Sequence, residues 1–430
     1  MSTRGTLYSK YWGLSLAMLL PLWAVGCSDS STAGPGQDAG DSPQIDGGST
    51  PDGGGENPSG LLPPSMSPVL TYCPFTDASD LGQFEGRTVV RVCHSGDTRA
   101  GCDVNTLADA LSQVSSGDWI EIVGDGPAYN QCGVIPATLS DIEIVGVCGR
   151  PHLQNKVCQS KGTFLNLGRD ISISNIEVSD AKISQQEGRN GAAVRDQGLG
   201  NLNLSYVYFH NNQNGILGGK GVIRIDWSRF EANGSPLDPG FTHNTYFSAD
   251  VDNVIINYSL FLRAQNEGNN MKSRAKRMEF HCSVSASLDG IDSREMDISE
   301  GGELVITNSL FEQGAVSANS NIIGFATEAG NPDRRHEMQS IVIRDTDIIN
   351  DRSGGSFVAY NAFNGFTMDL ENVRFIGSGE HLRKTNDGME SNTEAGSESF
   401  SDRAGAGLPA YSDDHMQLPM PRGCPGFEYF

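Results

Sequence analysis

The sequence predicts an all-β solenoid, a chain that winds short strands into a stack of parallel coils. Three observations lead there. A short apolar pattern returns nine times between residues 142 and 375. Each copy alternates apolar and polar positions, as a half-buried strand does. The 52 glycines among 430 residues fall largely between apolar segments, so turns are frequent. The hydrophobic share, 37%, is low for a compact globule and suits a solenoid, whose surface is large for its core.

The pattern reads apolar, any, apolar, any, then often Asn or an aromatic, and usually ends on Phe or Val. Its copies begin at Ile142, Ile171, Leu202, Ile223, Val254, Met278, Leu304, Ile341 and Met368. Intervals of 21 to 37 residues mark stacked units, with one turn of each coil carrying loops of uneven length. Phe209, Phe230, Phe261 and Phe311 share one repeat position and read as a core ladder. A second strand precedes several copies: NTYFS from Asn244, NMKSR from Asn270, EMDIS from Glu295 and IIGFA from Ile322. Aligned, these place Thr245, Met271, Met296 and Ile323 inward, with Phe247, Ser273, Ile298 and Phe325 two places on. The outward columns are then Asn244, Asn270, Glu295; Tyr246, Lys272, Asp297; and Ser248, Arg274, Ser299.

The body opens on a helix. Thr106 and Asp109 have capping-box spacing, Leu107, Ala110, Leu111 and Val114 share one face, and Gly117 stops it. With the apolar strand Trp119 to Val123, this helix is expected to cap the first coil and block edge-to-edge pairing. A two-sheet sandwich would need hairpin turns of a few residues, and these gaps are too long.

The N-terminus reads as an address. Arg4 and Lys10 precede the apolar run Gly13 to Val25, the form of a secretion signal. Ala24-Val25-Gly26-Cys27-Ser28 resembles the bacterial lipobox, which implies cleavage before Cys27 and lipid on its thiol. Ser28 after the modified residue implies the outer membrane. The expected layout is a signal peptide over 1–26, a flexible Gly/Ser/Asp/Pro linker over 27–68, the solenoid over 69–380 and a polar tail over 381–430. The protein is then an exported lipoprotein of the outer membrane or cell surface that meets membrane only through its N-terminal lipid. Eight cysteines remain after Cys27, an even number that suggests disulfides with the pairing left open. A zinc site is the weaker reading, since no Cys-x-x-Cys occurs. Net charge is −23, which argues against nucleic acid as a partner. No apolar run after residue 26 approaches the roughly 20 residues of a spanning helix.

Two or three short strands per repeat, stacked in parallel with Asn near the bends, resemble the pectate-lyase superfamily over residues 88 to 380. That resemblance implies a right-handed parallel β-helix (solenoid) with a short N-terminal capping helix. It implies no single activity, because this fold carries lyases, hydrolases, epimerases and adhesins.

The chemistry is expected on the outward columns. Lys272 and Arg274 share strand parity and point out about 7 Å apart. A neighbouring cation favours a neutral lysine, which can act as a base. Arg274 suits a bidentate carboxylate clamp. In the lyases of the resembled superfamily such groups neutralise a uronate and remove its neighbouring proton, while an acid protonates the leaving oxygen. Tyr246 or His243 would be that acid. Asn244, Asn270, Glu295, Asp297 and Arg294 are the expected substrate contacts. Arg263, Lys272, Arg274, Lys276, Arg277 and Arg294 crowd one stretch and would steer an anionic chain. The acidic run Asp289, Asp292, Glu295, Asp297 and Glu300 offers oxygen ligands of the kind Ca²⁺ takes, without an EF-hand or nonapeptide motif. Against all this stands the plain reading of surface ion pairs worth about 0–1 kcal/mol. His210, Asn211, Asn212 and Asn214 read as bend residues, and His281 as packed. The function these readings favour is binding and β-eliminative cleavage of an acidic polysaccharide. The alternative is a non-catalytic glycan-binding or adhesive β-helix, favoured by the lack of an Arg-x-Pro-x-x-Arg motif and of a calcium aspartate set.

Overall fold

Alternating apolar residues leave each strand one face to bury and no partner within its own coil, so coils stack. In the computed structural model, residues 72–76, 87–363 and 365–429 are described. The predicted signal peptide, the linker and Cys27 lie outside the described residues. Three parallel sheets run the length of the stack, one of twelve strands and two of ten. The first runs from Val89–Val92 to Glu390–Ala395 and contains every copy of the sequence pattern.

The register is the one the repeat implies. Ile142, Ile171, Leu202, Ile223 and Val254 pair in succession down one column, and Met278, Leu304, Ile341 and Met368 continue it. The fifth repeat position, where Asn or an aromatic recurs, is the corner between the first and second sheets. Asn175, Tyr206, Trp227, Tyr258, Cys282, Asn308, Asp345 and Asn372 all turn there with φ between 45° and 56°. Asn and Asp tolerate this left-handed region best among residues with a side chain. A hydroxyl column follows the corner: Ser228, Ser259 and Ser283 each donate a backbone N–H to the next coil's serine Oγ, at 3.0, 3.0 and 3.3 Å.

In the second sheet Phe209, Phe230 and Phe261 stack in register as expected. Ser285 then interrupts the column before Phe311. Phe280 of the first sheet fills the gap, with ring centroids 6.0 Å from Phe261 and 5.2 Å from Phe311. The Ser285 hydroxyl is thereby free to serve a buried acid beside it. In the third sheet Thr245, Met271, Met296 and Ile323 pair in succession, and so do Phe247, Ser273, Ile298 and Phe325.

The cap forms as predicted. Helix α1 (Leu107–Gln113) starts where the Thr106 hydroxyl accepts the Asp109 N–H, and Leu107, Ala110 and Leu111 are buried. No helix among the described residues is long and apolar enough to cross a membrane. All eight described cysteines pair, as Cys73–Cys148, Cys93–Cys102, Cys132–Cys158 and Cys282–Cys424. Strands continue past residue 380, at Glu380–Lys384, Glu390–Ala395 and Glu398–Phe400. The pattern fades there because the last coil has no neighbour above it, and Glu390–Ala395 is wholly exposed. The chain then returns along the second sheet. Leu418 and Phe427 cover its outward apolar residues, Leu260, Leu262, Val284 and Leu310 among them.

Candidate functional site

The third sheet gathers the expected outward residues. Register pairs Tyr246 with Lys272 and Lys272 with Asp297. Lys272 Nζ lies 3.5 Å from Asp297 Oδ2 and 2.6 Å from Glu328 Oε1. Arg274 donates from Nε to the Tyr246 hydroxyl at 2.8 Å, from Nη1 to Glu300 at 2.6 Å, and from Nη2 to Glu328 Oε2. Arg294 Nη1 approaches Asp297 Oδ2 at 3.5 Å. Thr327 donates to Asp297 Oδ1 at 3.1 Å. Of these groups Lys272, Arg294, Asp297 and Glu328 line a cavity of about 280 Å³ together with Glu267 and Asn269, and Arg274 meets its wall at Glu328.

Arg294 reaches the cavity across Gly324, the residue in register with Asp297. A Cβ there would stand 2.9 Å from Arg294 Nε. That Nε is buried and has no hydrogen-bond partner among the described residues.

Three expected contacts sit elsewhere. Asn244, Asn270 and Glu295 are not outward; all three are fully buried. They precede the first residue of their strands, where the bend turns their side chains into the stack. There they extend an amide ladder. Asn212 Nδ2 donates to Asn233, Asn233 to Asn244, Asn244 to Asn270 and Asn270 to Glu295, at 3.0, 2.8, 2.6 and 2.6 Å. Glu295 ends the ladder, accepting Ser285 Oγ at 2.6 Å and meeting Ser287. Burial, together with Asp292 beside it, raises the Glu295 pKa well above the usual carboxyl range. These residues support the site's backbone and cannot touch a ligand.

His243 is also withdrawn from the chemistry. Its ring is buried, and Nδ1 accepts the Asn269 N–H at 3.0 Å. Burial, aided by Lys272, lowers its pKa to about 3. The ring is therefore neutral, its lone pair is occupied, and it is neither an acid nor a base at ordinary pH. The Lys272 amine is faced by Glu328 as well as by Asp297.

The cationic stretch is compensated rather than free. Arg263 pairs with Glu231 and Asp289, Lys276 with Asp252, and Arg277 with Glu279. The acidic run divides among several partners. Asp289 faces Arg263, Asp292 faces Ser287, Glu295 faces Asn270, Asp297 faces Lys272, and Glu300 faces Arg274.

The residue missed in the sequence is Glu328. It follows the strand Asn321–Phe325 in a loop anchored by its own N–H to Ser299 O at 2.8 Å. Burial opposes its charge, yet Lys272 and Arg274 hold its carboxyl below the usual range. Carrying the strand alignment one residue past Ser299 would have brought Glu300 towards Arg274, whereas Glu328 lies in a loop that the alignment does not reach.

Neither a family model nor a curated protein matches the chain. Solved structures similar to it include an alginate lyase from Paenibacillus sp. str. FPU-7, 12% identical over 67% of this chain and 95% of that one, TM-score 0.44. Pectate lyase Pel9A is 14% identical over 76% and 83%, TM-score 0.35. The mannuronan C-5 epimerase AlgE6 A-module of Azotobacter vinelandii is 12% identical over 73% and 91%, TM-score 0.36. These are likenesses of fold.

Proposed function

We propose that the cavity on the third sheet binds a uronate-bearing polysaccharide, with Lys272 and Arg274 clamping one sugar carboxylate. The observation that carries this is Glu328. Its two oxygens meet Lys272 Nζ and Arg274 Nη2 separately, so the two cations are spaced to take one carboxylate between them. Charge-assisted pairs of this kind are the strong hydrogen bonds. Glu328 is the exchangeable member: its side chain is 40% exposed, against 2% for Asp297 and 3% for Glu300. With Glu328 swung aside, Lys272, Arg274 and Arg294 face two fixed carboxylates, and an incoming anion restores the balance. Arg294, which lines the cavity, adds a further positive charge. Phe241, 72% exposed, adjoins the lining residue Gly240 in sequence and would be an apolar contact for a sugar ring. The cavity volume, about 280 Å³, is at the small end of ligand pockets, so one sugar sits in it and the chain runs on over the sheet. The signal at the N-terminus and Cys27 would hold this groove outside the cell on a lipid anchor.

β-Elimination is the second reading, supported by the Tyr246 hydroxyl 2.8 Å from Arg274 Nε. In this reading Arg274 alone would neutralise the uronate carboxylate and acidify the proton α to it, and Lys272, released from the clamp and in its neutral form, would remove that proton. The C–O bond at the β carbon breaks, a C=C bond forms, and Tyr246 returns a proton to the leaving oxygen.

Calorimetric titration with oligo-uronates tests the binding. K272A and R274A are each expected to weaken it at least tenfold, and unchanged affinity in both sinks the proposal. Ultraviolet absorbance of the unsaturated product tests the chemistry. Y246F should bind and form no product; if the wild type forms none from any uronate polymer, the protein is a binder.

A further inference from the structure

A separate cluster on the second sheet holds nitrogen and oxygen ligands. His152, Glu177 and His210 come from strands His152–Gln154, Glu177–Ser179 and Tyr208–His210, on consecutive coils. His152 is in register with Glu177, while His210 is in register with Ser179, so the three form a bent group rather than a straight column. Glu177 Oε1 lies 3.6 Å from His152 Nδ1 and 3.0 Å from His210 Nε2. One ligand atom from each residue falls within 4.8 Å of the others. Ligands about 2.0–2.1 Å from a tetrahedral metal lie roughly 3.4 Å apart, so two edges are already set and the third needs only a side-chain rotation.

The hydrogen bonds around the cluster fix which atoms face inward. Ser179 Oγ donates to Asp180 Oδ2 at 3.1 Å, and Asp180 is held by Lys182 at 2.7 Å. With that hydrogen spent, Ser179 accepts from His152 Nε2, 2.8 Å away. The neutral ring then turns the lone pair of Nδ1 towards the Glu177 oxygen. Two acceptors facing each other at 3.6 Å repel unless a cation lies between them. His210 Nδ1 is 2.9 Å from the Asn211 amide. Turning that amide over offers Oδ1 to an Nδ1–H and leaves Nε2 free to ligate. Each histidine thus has a partner on its far nitrogen, as ligating histidines generally do. The three side chains are 16–26% exposed, so water can reach a fourth position.

We propose that His152, Glu177 and His210 bind a divalent first-row transition metal of the zinc type, joining three coils of the solenoid. Imidazole and one carboxylate select such ions over Ca²⁺ and Mg²⁺, which take oxygen. The site belongs to a different sheet from the uronate groove and does not depend on it.

The test uses the full-length protein after chelation and dialysis. Zn²⁺ is titrated calorimetrically, and Co²⁺ is followed by its visible absorption, which reports four-coordinate nitrogen and oxygen ligation. One equivalent should bind saturably. H152A, H210Q and E177Q should each weaken binding at least tenfold, and S179A should weaken it less. Zn²⁺ should raise the Tm of the wild type by a few degrees and leave H210Q unmoved. The remaining histidines provide an internal control, because H243Q and H281Q should bind as the wild type does. Binding that is absent, that survives both H152A and H210Q, or that Ca²⁺ displaces at equal concentration overturns the proposal. Circular dichroism of each variant before metal addition separates a lost site from a lost fold.

Discussion

Replacing Asn244 by Ala removes the middle rung of the buried amide ladder, and the structure sets the cost. Asn244 Oδ1 accepts the Asn233 N–H at 3.1 Å and Asn233 Nδ2 at 2.8 Å. Its Nδ2 donates to Leu262 O at 2.9 Å and to Asn270 Oδ1 at 2.6 Å. Three of the four partners keep another bond. Asn233 Nδ2 still reaches Phe209 O, Leu262 O still accepts Ala232 N–H, and Asn270 Oδ1 still accepts Ala264 N–H. The Asn233 backbone N–H keeps no other partner among the bonds found. One orphaned buried donor costs about 1–3 kcal/mol and each of the three further lost bonds about 1 kcal/mol net, so N244A should lose roughly 4–6 kcal/mol. Urea unfolding measures the total. Hydrogen exchange resolved along the chain locates it, since coils of a solenoid open semi-independently. Protection should fall in the coils carrying Asn233, Asn244 and Asn270 before it falls near the cap. A loss under about 1 kcal/mol, or an even loss along the stack, refutes the ladder as the element that holds this corner.

Three other outcomes follow from named contacts. E328Q removes the internal competitor for the clamp. Because that side chain is partly exposed, the gain is capped near 1 kcal/mol, and uronate affinity should rise roughly fivefold by calorimetry. E295Q bears on pH. Glu295 has a folded pKa above its unfolded one, so the fold favours its protonated form, and wild-type stability falls as pH rises from the usual carboxyl range through the raised value. The glutamine variant should lose that component of the slope, and a slope equal to wild type would contradict the assignment. C424S opens the Cys282–Cys424 link across 142 residues and frees the returning tail. It should cost about 2–4 kcal/mol and speed proteolysis after Phe400, and equal cleavage rates would show that Leu418 and Phe427 hold the tail unaided.

The fold was legible because its strongest constraint is local. Alternation in nine copies is enough to fix one column, and that column stands in the first sheet with Ile142 and Met368 at its ends. The Asn-or-aromatic position could be read as special but not as left-handed, since Trp227 and Tyr258 give no hint of positive φ. Strand parity predicted the Tyr246, Lys272 and Asp297 column correctly and failed two residues earlier. Asn244, Asn270 and Glu295 lie where the chain bends, and parity holds only along extended backbone. Glu328 was hidden because a loop residue has no register of its own. His152, Glu177 and His210 were hidden because no short motif joins them; only the stacking of coils brings them together.

The central claim is that Lys272 and Arg274 recognise a carboxylate, and that Glu328 stands where the ligand's own carboxylate goes. Its most direct test is to titrate one oligo-uronate and the same oligosaccharide with its carboxyl groups reduced to alcohols. The reduced sugar should bind at least tenfold more weakly to the wild type, and K272A should narrow that difference. Equal affinity for the two sugars would contradict the clamp whatever else the groove binds.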